Sequence, residues 1–359
     1  MQSFQCACGQ VLFFDNTQCV ACQRQVGYDP ASRSLREVGD GTPFLRCANS
    51  LQYGVCNWLI PATRRDGTPT PPGSLCRSCR YNRTIPDTTD ARLLPLWARL
   101  EAAKRRLLVT LWSLGMHIPT QASDPEGGLA FDLVSSRIDP QATMGHLHGV
   151  ITVDLEEADD VFRHINRTNL GEDIRTLLGH FRHESGHYVW ARWQNPLRFD
   201  DPQRAAFRQR FGSELEKDYP ASLQRHYTKG PPPDWRLHFI SAYATSHPWE
   251  DWAESWNYYL EMADGLETAN ALGLQTQASP IDLTRFPAEA AQLPPMLSPE
   301  PEADAHFLTM LHRWAALSTV LNEISQSLGQ PPLTPQVLSV PIAQKLRLIH
   351  WLVGRTGLL

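Results

Sequence analysis

The segment LGHFRHESGHYVW, residues 178–190, contains two histidines separated by three residues. On an α-helix, His183 and His187 lie on one face, about 6 Å apart along the axis, so both imidazoles can bind one metal ion. Glu184 lies between them, where it can hold a water molecule at that metal and accept its proton. The pattern predicts a catalytic zinc site with Glu184 as the general base. The alternative is a pair of core histidines that happen to share a helix face.

A catalytic zinc also needs a third protein ligand and an open fourth position. A histidine six residues after His187 is excluded, because that position is Trp193. The segment HPWEDWAESW, residues 247–256, predicts a buried helix rich in aromatic residues, with Glu250 and Glu254 on one face. Buried carboxylates need a partner, and in such a pair one can bind zinc while the other supports a zinc-bound histidine. We expect Glu250 to be the ligand, with Glu254 as the alternative.

The elements that must position these groups are mainly helical. Apolar periodicity predicts helices over residues 91–114, 203–219, 249–263, 303–328 and 337–353, besides the helix that carries HESGH. GVITVDL, residues 149–155, has the alternation of a strand, and an extended peptide could pair with it at a sheet edge. The sequence therefore predicts an α+β, mostly helical fold.

All eight cysteines lie in the first 79 residues, in two groups of four. The first group is Cys6, Cys8, Cys19 and Cys22, and the second is Cys47, Cys56, Cys76 and Cys79. Pairs of cysteines two residues apart form knuckles that converge on one ion, although the CAC pair at 6–8 is one residue short. Because four thiolates leave no open position, we expect two structural zinc ions in a small zinc-ribbon domain.

Composition and charge limit the partners. A chain that is 42% hydrophobic and 20% charged is typical of a soluble globular protein, and we expect it to be cytoplasmic, with no membrane segment. Residues 1–106 hold 14 Lys/Arg against 8 Asp/Glu. Each zinc with four thiolates carries about −2, so two such centres cancel most of this excess, and we do not expect nucleic acid as the partner.

HESGH followed by a distant helix with two acidic residues four apart resembles the gluzincin class of zinc peptidases. The resemblance implies that Glu250 binds zinc and Glu254 supports a histidine. Lethal-factor-like members carry an oxyanion-stabilising tyrosine seven residues before the third ligand, which implies that role for Tyr243, with His247 as the second candidate. More closely, the whole chain resembles a bacterial family of zinc-binding metallopeptidases with an N-terminal zinc ribbon, through the cysteines, GHLHGVITVDLEEADD (145–160), LLGHFRHESGHYVW (177–190), FRQRFGSELEKDY (207–219) and AYATSHPWEDWAESW (242–256).

Together these patterns predict a zinc ribbon over residues 1–85, a helical connector over 86–122 and a zincin-like metallopeptidase domain over 123–359. The predicted function is hydrolysis of a peptide or protein substrate with one catalytic and two structural zinc ions. The alternative is an inactive or latent zincin scaffold whose ribbon binds a protein or nucleic-acid partner.

Overall fold

The computed structural model describes residues 4–139, 144–163, 176–193, 201–215, 218–274, 286–335 and 338–355. The chain divides into two compact units, Met1–Trp112 with Ile118–His164 and Ser113–His117 with Ile165–Leu359. Short strands dominate the first unit and helices the second. The α+β, mostly helical class predicted from the sequence is confirmed.

The cysteine-rich part of the first unit is built from three small antiparallel sheets and one short helix. β1 (Phe4–Gln5) pairs with β2 (Val11–Leu12), β3 (Val26–Asp29) with β4 (Ser34–Glu37), and β5 (Phe44–Arg46) with β6 (Leu59–Pro61). Helix α1 spans Ala48–Tyr53. The apolar core of this cysteine-rich part is centred on Tyr28 and Trp58, whose ring centroids are 5.4 Å apart. Hairpins this short depend on side-chain packing and on cross-links for their stability.

The rest of the first unit is helix α2 (Leu93–Ser113) and a four-stranded sheet. Its strands are β7 (Asn82–Thr84), β8 (Ala130–Val134), β9 (Gly145–Leu147) and β10 (Val150–Asp154), in the order β7-β8-β10-β9. β8 runs parallel to both β7 and β10, whereas β9 is antiparallel to β10. The predicted strand at 149–155 is therefore β10. The expectation that it is an edge strand open to a peptide is wrong, because β10 lies between β8, which pairs along its whole length, and β9, which pairs with Val150–Thr152.

The first compact unit extends across the predicted boundaries at residues 85 and 122. β7 begins three residues after Cys79 and pairs with β8, and Lys104 of α2 donates a hydrogen bond to Asn82 of β7. Tyr81 donates to the carbonyl of Ile118. The cysteine-rich segment, α2 and the sheet therefore contact one another within the first unit. The connector over 86–122 and the boundary at 123 stay a prediction.

The second unit is helical. Its helices are α3 (Leu177–Trp193), α4 (Asp201–Phe211), α5 (Tyr219–Lys229), α6 (Pro248–Ala271), α7 (Pro301–Ser327) and α8 (Val340–Val353). The 3-10 turn Tyr243–Thr245 lies shortly before α6. α6 is the central helix and contacts α3, α4, α7 and α8. The helix predicted over 203–219 ends earlier, at Phe211, because Gly212 has a φ of +90°. Within the described residues, no helix combines the length and apolar character needed to cross a membrane.

Candidate metal centres

The middle of HESGH is the surface on which α3 and α6 meet. Trp252 donates its indole N–H to the carbonyl of Gly186 at 2.9 Å, and Trp256 donates to the hydroxyl of Ser185 at 3.0 Å. A Cβ added to Gly186 would lie 3.0 Å from a side-chain atom of Trp256 and 3.1 Å from Cα of Ala253. Glycine therefore allows the two backbones to approach closely. This approach brings carboxylates of α6 within reach of imidazoles on α3.

Three potential ligand atoms, one each from His183, His187 and Glu250, converge at this contact. The position between these atoms is called the convergence point. Nε2 of His183 lies 3.1 Å from Nε2 of His187, and Oε2 of Glu250 lies 3.0 Å from the first and 3.5 Å from the second. Tetrahedral zinc, with bonds of about 2.0–2.1 Å, requires its ligand atoms to be about 3.3 Å apart. Among the described residues, Oε2 of Glu250 is buried without a hydrogen bond of normal geometry. The spacing and the unsatisfied oxygen both suit a zinc ion.

Two further groups contact these potential ligands. Oε1 of Glu254 lies 2.7 Å from Nδ1 of His183, so Nδ1 donates and Nε2 of the neutral ring directs a lone pair at the convergence point. Tyr219 donates its hydroxyl to Oε1 of Glu250 at 2.7 Å, which leaves Oε2 facing the histidines. Of the two predicted arrangements, this geometry places Glu250 with the imidazole Nε2 atoms and Glu254 on the far side of the His183 ring.

Electrostatics at the convergence point favour a positive charge. Burial lowers the pKa of His183, but the Glu250 and Glu254 carboxylates outweigh it and hold that pKa well above its usual value. Burial likewise raises the pKa of Glu250, yet the charges of His187 and His183 hold it well below its usual value. Two carboxylates at one imidazole therefore form a cradle for a cation, which a proton or a metal ion can occupy.

Glu184 is buried beside this cluster. Its Oε1 lies 3.4 Å from Nε2 of His180, one turn earlier on α3, and its Oε2 makes no hydrogen bond with any described residue. Burial raises the pKa of Glu184, but the hydrogen bond from His180 and the charges of His187 and His183 lower it to about 2. The carboxylate is therefore ionised and can accept a proton through Oε2. His180 is therefore a partner of Glu184.

Tyr243 and His247, the two candidate oxyanion donors, are placed differently. The Tyr243 ring centroid is 6.1 Å from that of His183, in the 3-10 turn before α6. Burial, reinforced by the charge of Glu250, raises the pKa of Tyr243 well above its usual value, so the hydroxyl keeps its proton. His247 is the N-cap of α6, where Nδ1 accepts the backbone N–H of Trp249 at 3.2 Å. Its geometry is that of a capping residue.

Helix α5 places two residues near the site, Tyr219 and His226, that the sequence patterns did not predict to lie there. Tyr219 binds Glu250, and the His226 ring lies 5.9 Å from the Tyr243 ring. The start of α5 was visible in the sequence, because Asp218 is a good N-cap and Pro220 favours the first turn. Placing that helix at the site required knowledge of the tertiary structure.

The eight cysteines form two further clusters in the first unit, grouped as the sequence predicted. Sulfur–sulfur distances of 3.6 Å (Cys6 to Cys22, Cys8 to Cys19) and 3.7 Å (Cys56 to Cys76) are close to the roughly 3.8 Å expected around zinc with Zn–S bonds of about 2.3 Å. No disulfide joins them. The short CAC spacing therefore does not prevent convergence.

The two cysteine clusters differ in their environments. Cys8 and Cys22 of the first are exposed, whereas all four cysteines of the second are buried. In the first cluster, the backbone N–H of Cys22 is the main cause that lowers the pKa of Cys19 to about 6, which favours the thiolate needed for a metal ligand. Both clusters suit zinc, but solvent reaches only the first directly.

Comparison with known proteins agrees with this chemistry. Residues 94–352 match a family described as "putative zinc-binding metallo-peptidase", and residues 3–90 match a zinc-ribbon domain. Relatives from Mycobacterium bovis and from two strains of Mycobacterium tuberculosis are 39% identical over 358 residues, which covers 99% of this chain and 96% of each relative. Each of them is named only as an uncharacterized protein, and no solved structure matches the chain. The chain therefore belongs to this family of zinc-binding metallo-peptidases and carries a zinc-ribbon domain in front of the peptidase domain.

Proposed function

We propose that the chain is a gluzincin-like zinc peptidase that hydrolyses peptide bonds of peptide or protein substrates. His183, His187 and Glu250 are the proposed zinc ligands, and Glu184 is the proposed general base. One observation carries the proposal: three ligand atoms from two helices meet at zinc-like spacings beside a buried carboxylate. A pair of core histidines would not need Glu250 with an unsatisfied oxygen between them.

A zinc ion held by these three residues supplies a Lewis acid with an open coordination position, which acidifies water and polarises a carbonyl oxygen. Glu184 then acts through Oε2. It orients the attacking water, accepts its proton as the water oxygen bonds to the carbonyl carbon, and delivers that proton to the leaving amine nitrogen. His180 holds the other oxygen and so fixes the direction of Oε2.

Tyr243 is the proposed donor to the substrate oxygen that becomes negatively charged. Its hydroxyl stays protonated, and its ring lies against His183. A donor placed before the reaction stabilises the developing charge without reorganisation. His247 is less suited to this role, because its ring caps α6.

The two cysteine clusters are proposed as structural zinc centres, which gives three zinc ions for each chain. Four thiolates fill the coordination shell, so neither centre has a position for substrate. Metal analysis of the purified chain tests this count directly. We expect three zinc ions, of which one is removed by a chelator without unfolding.

Glu184→Gln tests the proposed mechanism. The amide is nearly isosteric but cannot accept the proton, so peptide turnover is expected to fall by about 10²–10⁴-fold while zinc content and melting temperature stay unchanged. Glu302→Gln, at an exposed carboxylate at the start of α7, is the control for loss of a negative charge. The assay follows cleavage of a quenched peptide library by zinc-loaded protein. Turnover at the wild-type rate in Glu184→Gln would show that Glu184 is not the base.

The competing proposal is an inactive or latent scaffold whose ribbon holds a protein or nucleic-acid partner. An inactive scaffold predicts either two zinc ions for each chain, both in the cysteine clusters, or three zinc ions. In the second case, no library peptide is cleaved. Nucleic-acid binding would also appear as an affinity that falls steeply with salt concentration.

A further inference from the structure

Tyr219 is bound to Glu250 but takes no part in the chemistry proposed above. Its hydroxyl donates to Oε1 at 2.7 Å, across 31 residues of sequence. Glu250 is only 1% exposed, so bulk water cannot replace this hydrogen bond. A buried carboxylate oxygen deprived of its donor has to find another partner or remain unsatisfied.

The position of Tyr219 is fixed from two sides. It is the first residue of α5, whose N-cap Asp218 accepts the backbone N–H of Ala221 at 2.8 Å. Its ring packs edge-on against His247, at 5.1 Å between centroids, and against Trp249 at 5.4 Å. Both of these rings belong to the start of α6, directly before Glu250. The hydroxyl is therefore held in register with the carboxylate.

The two oxygens of Glu250 consequently have different roles. Oε1 is engaged by Tyr219, and Oε2 faces the Nε2 atoms of His183 and His187. Without a donor on Oε1, the carboxylate can turn about its terminal bond and direct Oε2 away from the two imidazoles. A donor fixed on Oε1 prevents this rotation.

We propose that Tyr219 is a positioning residue that holds Oε1 of Glu250, so that Oε2 stays directed at the Nε2 atoms of His183 and His187 and is preorganised to bind zinc. This inference rests on the proposed function, since it requires zinc at the convergence point. It assigns a role to helix α5: α5 sets the orientation of a ligand on α6.

Tyr219→Phe tests the inference through zinc affinity, measured without substrate. The variant keeps the ring and its packing and removes only the hydroxyl. Loss of a group that orients a metal ligand typically lowers metal affinity 10–100-fold. We expect that loss at this site in a competition with a zinc chelator, while the zinc of the two cysteine clusters is unaffected.

Tyr258→Phe is the matched control. Tyr258 is also buried, and its hydroxyl accepts the indole N–H of Trp314 at 2.8 Å, so this change costs a buried hydrogen bond away from the convergence point. We expect wild-type zinc affinity in this variant. Should Tyr219→Phe not fold, Tyr219→Met fills the same space without a donor, and the same loss is expected.

The outcomes separate this inference from the function on which it rests. Wild-type protein with a chelatable third zinc, together with a loss of tenfold or more in the Tyr219 variant only, supports the inference. A third zinc bound equally tightly by wild type and Tyr219→Phe overturns it and leaves the peptidase proposal intact. Wild-type protein that binds no third zinc overturns both.

Discussion

The contact between Glu254 and His183 gives the sharpest prediction about zinc binding. Oε1 of Glu254 lies 2.7 Å from Nδ1 of the ring, a length typical of a charge-assisted hydrogen bond. Such bonds contribute about 1.5–3 kcal/mol. The Glu254 side chain is 21% exposed, so solvent screening favours the lower half of that range.

Removal of this bond is therefore expected to reduce zinc affinity by about tenfold or somewhat more, since about 1.4 kcal/mol corresponds to a factor of ten. Glu254→Ala should show the full loss. Glu254→Gln keeps a neutral acceptor, which makes a bond of roughly half the strength, so its loss should be about threefold. The expected order of affinity is wild type, then Gln, then Ala.

Chelator competition on protein whose cysteine clusters are filled measures this series, with circular dichroism to show that each variant is folded. Glu302→Gln is again the control for the lost charge and should bind zinc as wild type does. Zinc affinity in Glu254→Ala equal to that of wild type would refute the assignment of Glu254 as the group that orients His183. If Glu254→Gln binds zinc more weakly than Glu254→Ala, the effect of Glu254 on zinc affinity does not come from its hydrogen bond to His183.

Two further predictions concern the cysteine clusters and acid stability. Cys8 is exposed and Cys56 is buried, so a thiol reagent with a chelator should release the zinc of the first cluster well before that of the second. For the same reason, Cys8→Ser should lower the melting temperature less than Cys56→Ser. Equal release rates would contradict this prediction. Burial, helped by the charges of Arg347 and His306, lowers the pKa of His350 to about 4. As the pH falls from about 6.5 to 4, His350 is protonated in the unfolded chain but not in the folded chain, so the free energy of unfolding should fall by at most about 3 kcal/mol. In His350→Gln, urea unfolding should show a free energy of unfolding that lacks this dependence on pH.

The sequence was most informative where chemistry and periodicity coincide. Two histidines four apart, and two glutamates four apart, fix their own relative geometry because each pair lies on one helix. The cysteine grouping was readable for a similar reason, since knuckle spacing limits which thiolates can converge. These local constraints predicted which residues share a helix face or a cysteine cluster, whereas the choice between Glu250 and Glu254 stayed open.

What the sequence did not reveal depends on contacts between distant segments. Tyr219 reaches Glu250 only because α5 packs beside the start of α6, and no periodicity encodes that contact. The order β7-β8-β10-β9 likewise places a strand with an ordinary alternating pattern in the interior of a sheet. Strand order depends on which strands pair, and the sequence of β10 would be equally compatible with a position at the edge of the sheet.

The close approach at Gly186 links metal chemistry to the hydrophobic core. The same turn of α3 that carries the two imidazoles also receives the indoles of Trp252 and Trp256 through Gly186 and Ser185. A change that retunes the geometry around the cation by moving either helix must therefore also repack those indoles. If zinc binds at the proposed site, we expect substitutions that change its metal selectivity also to change thermal stability, so both should be measured in any variant library.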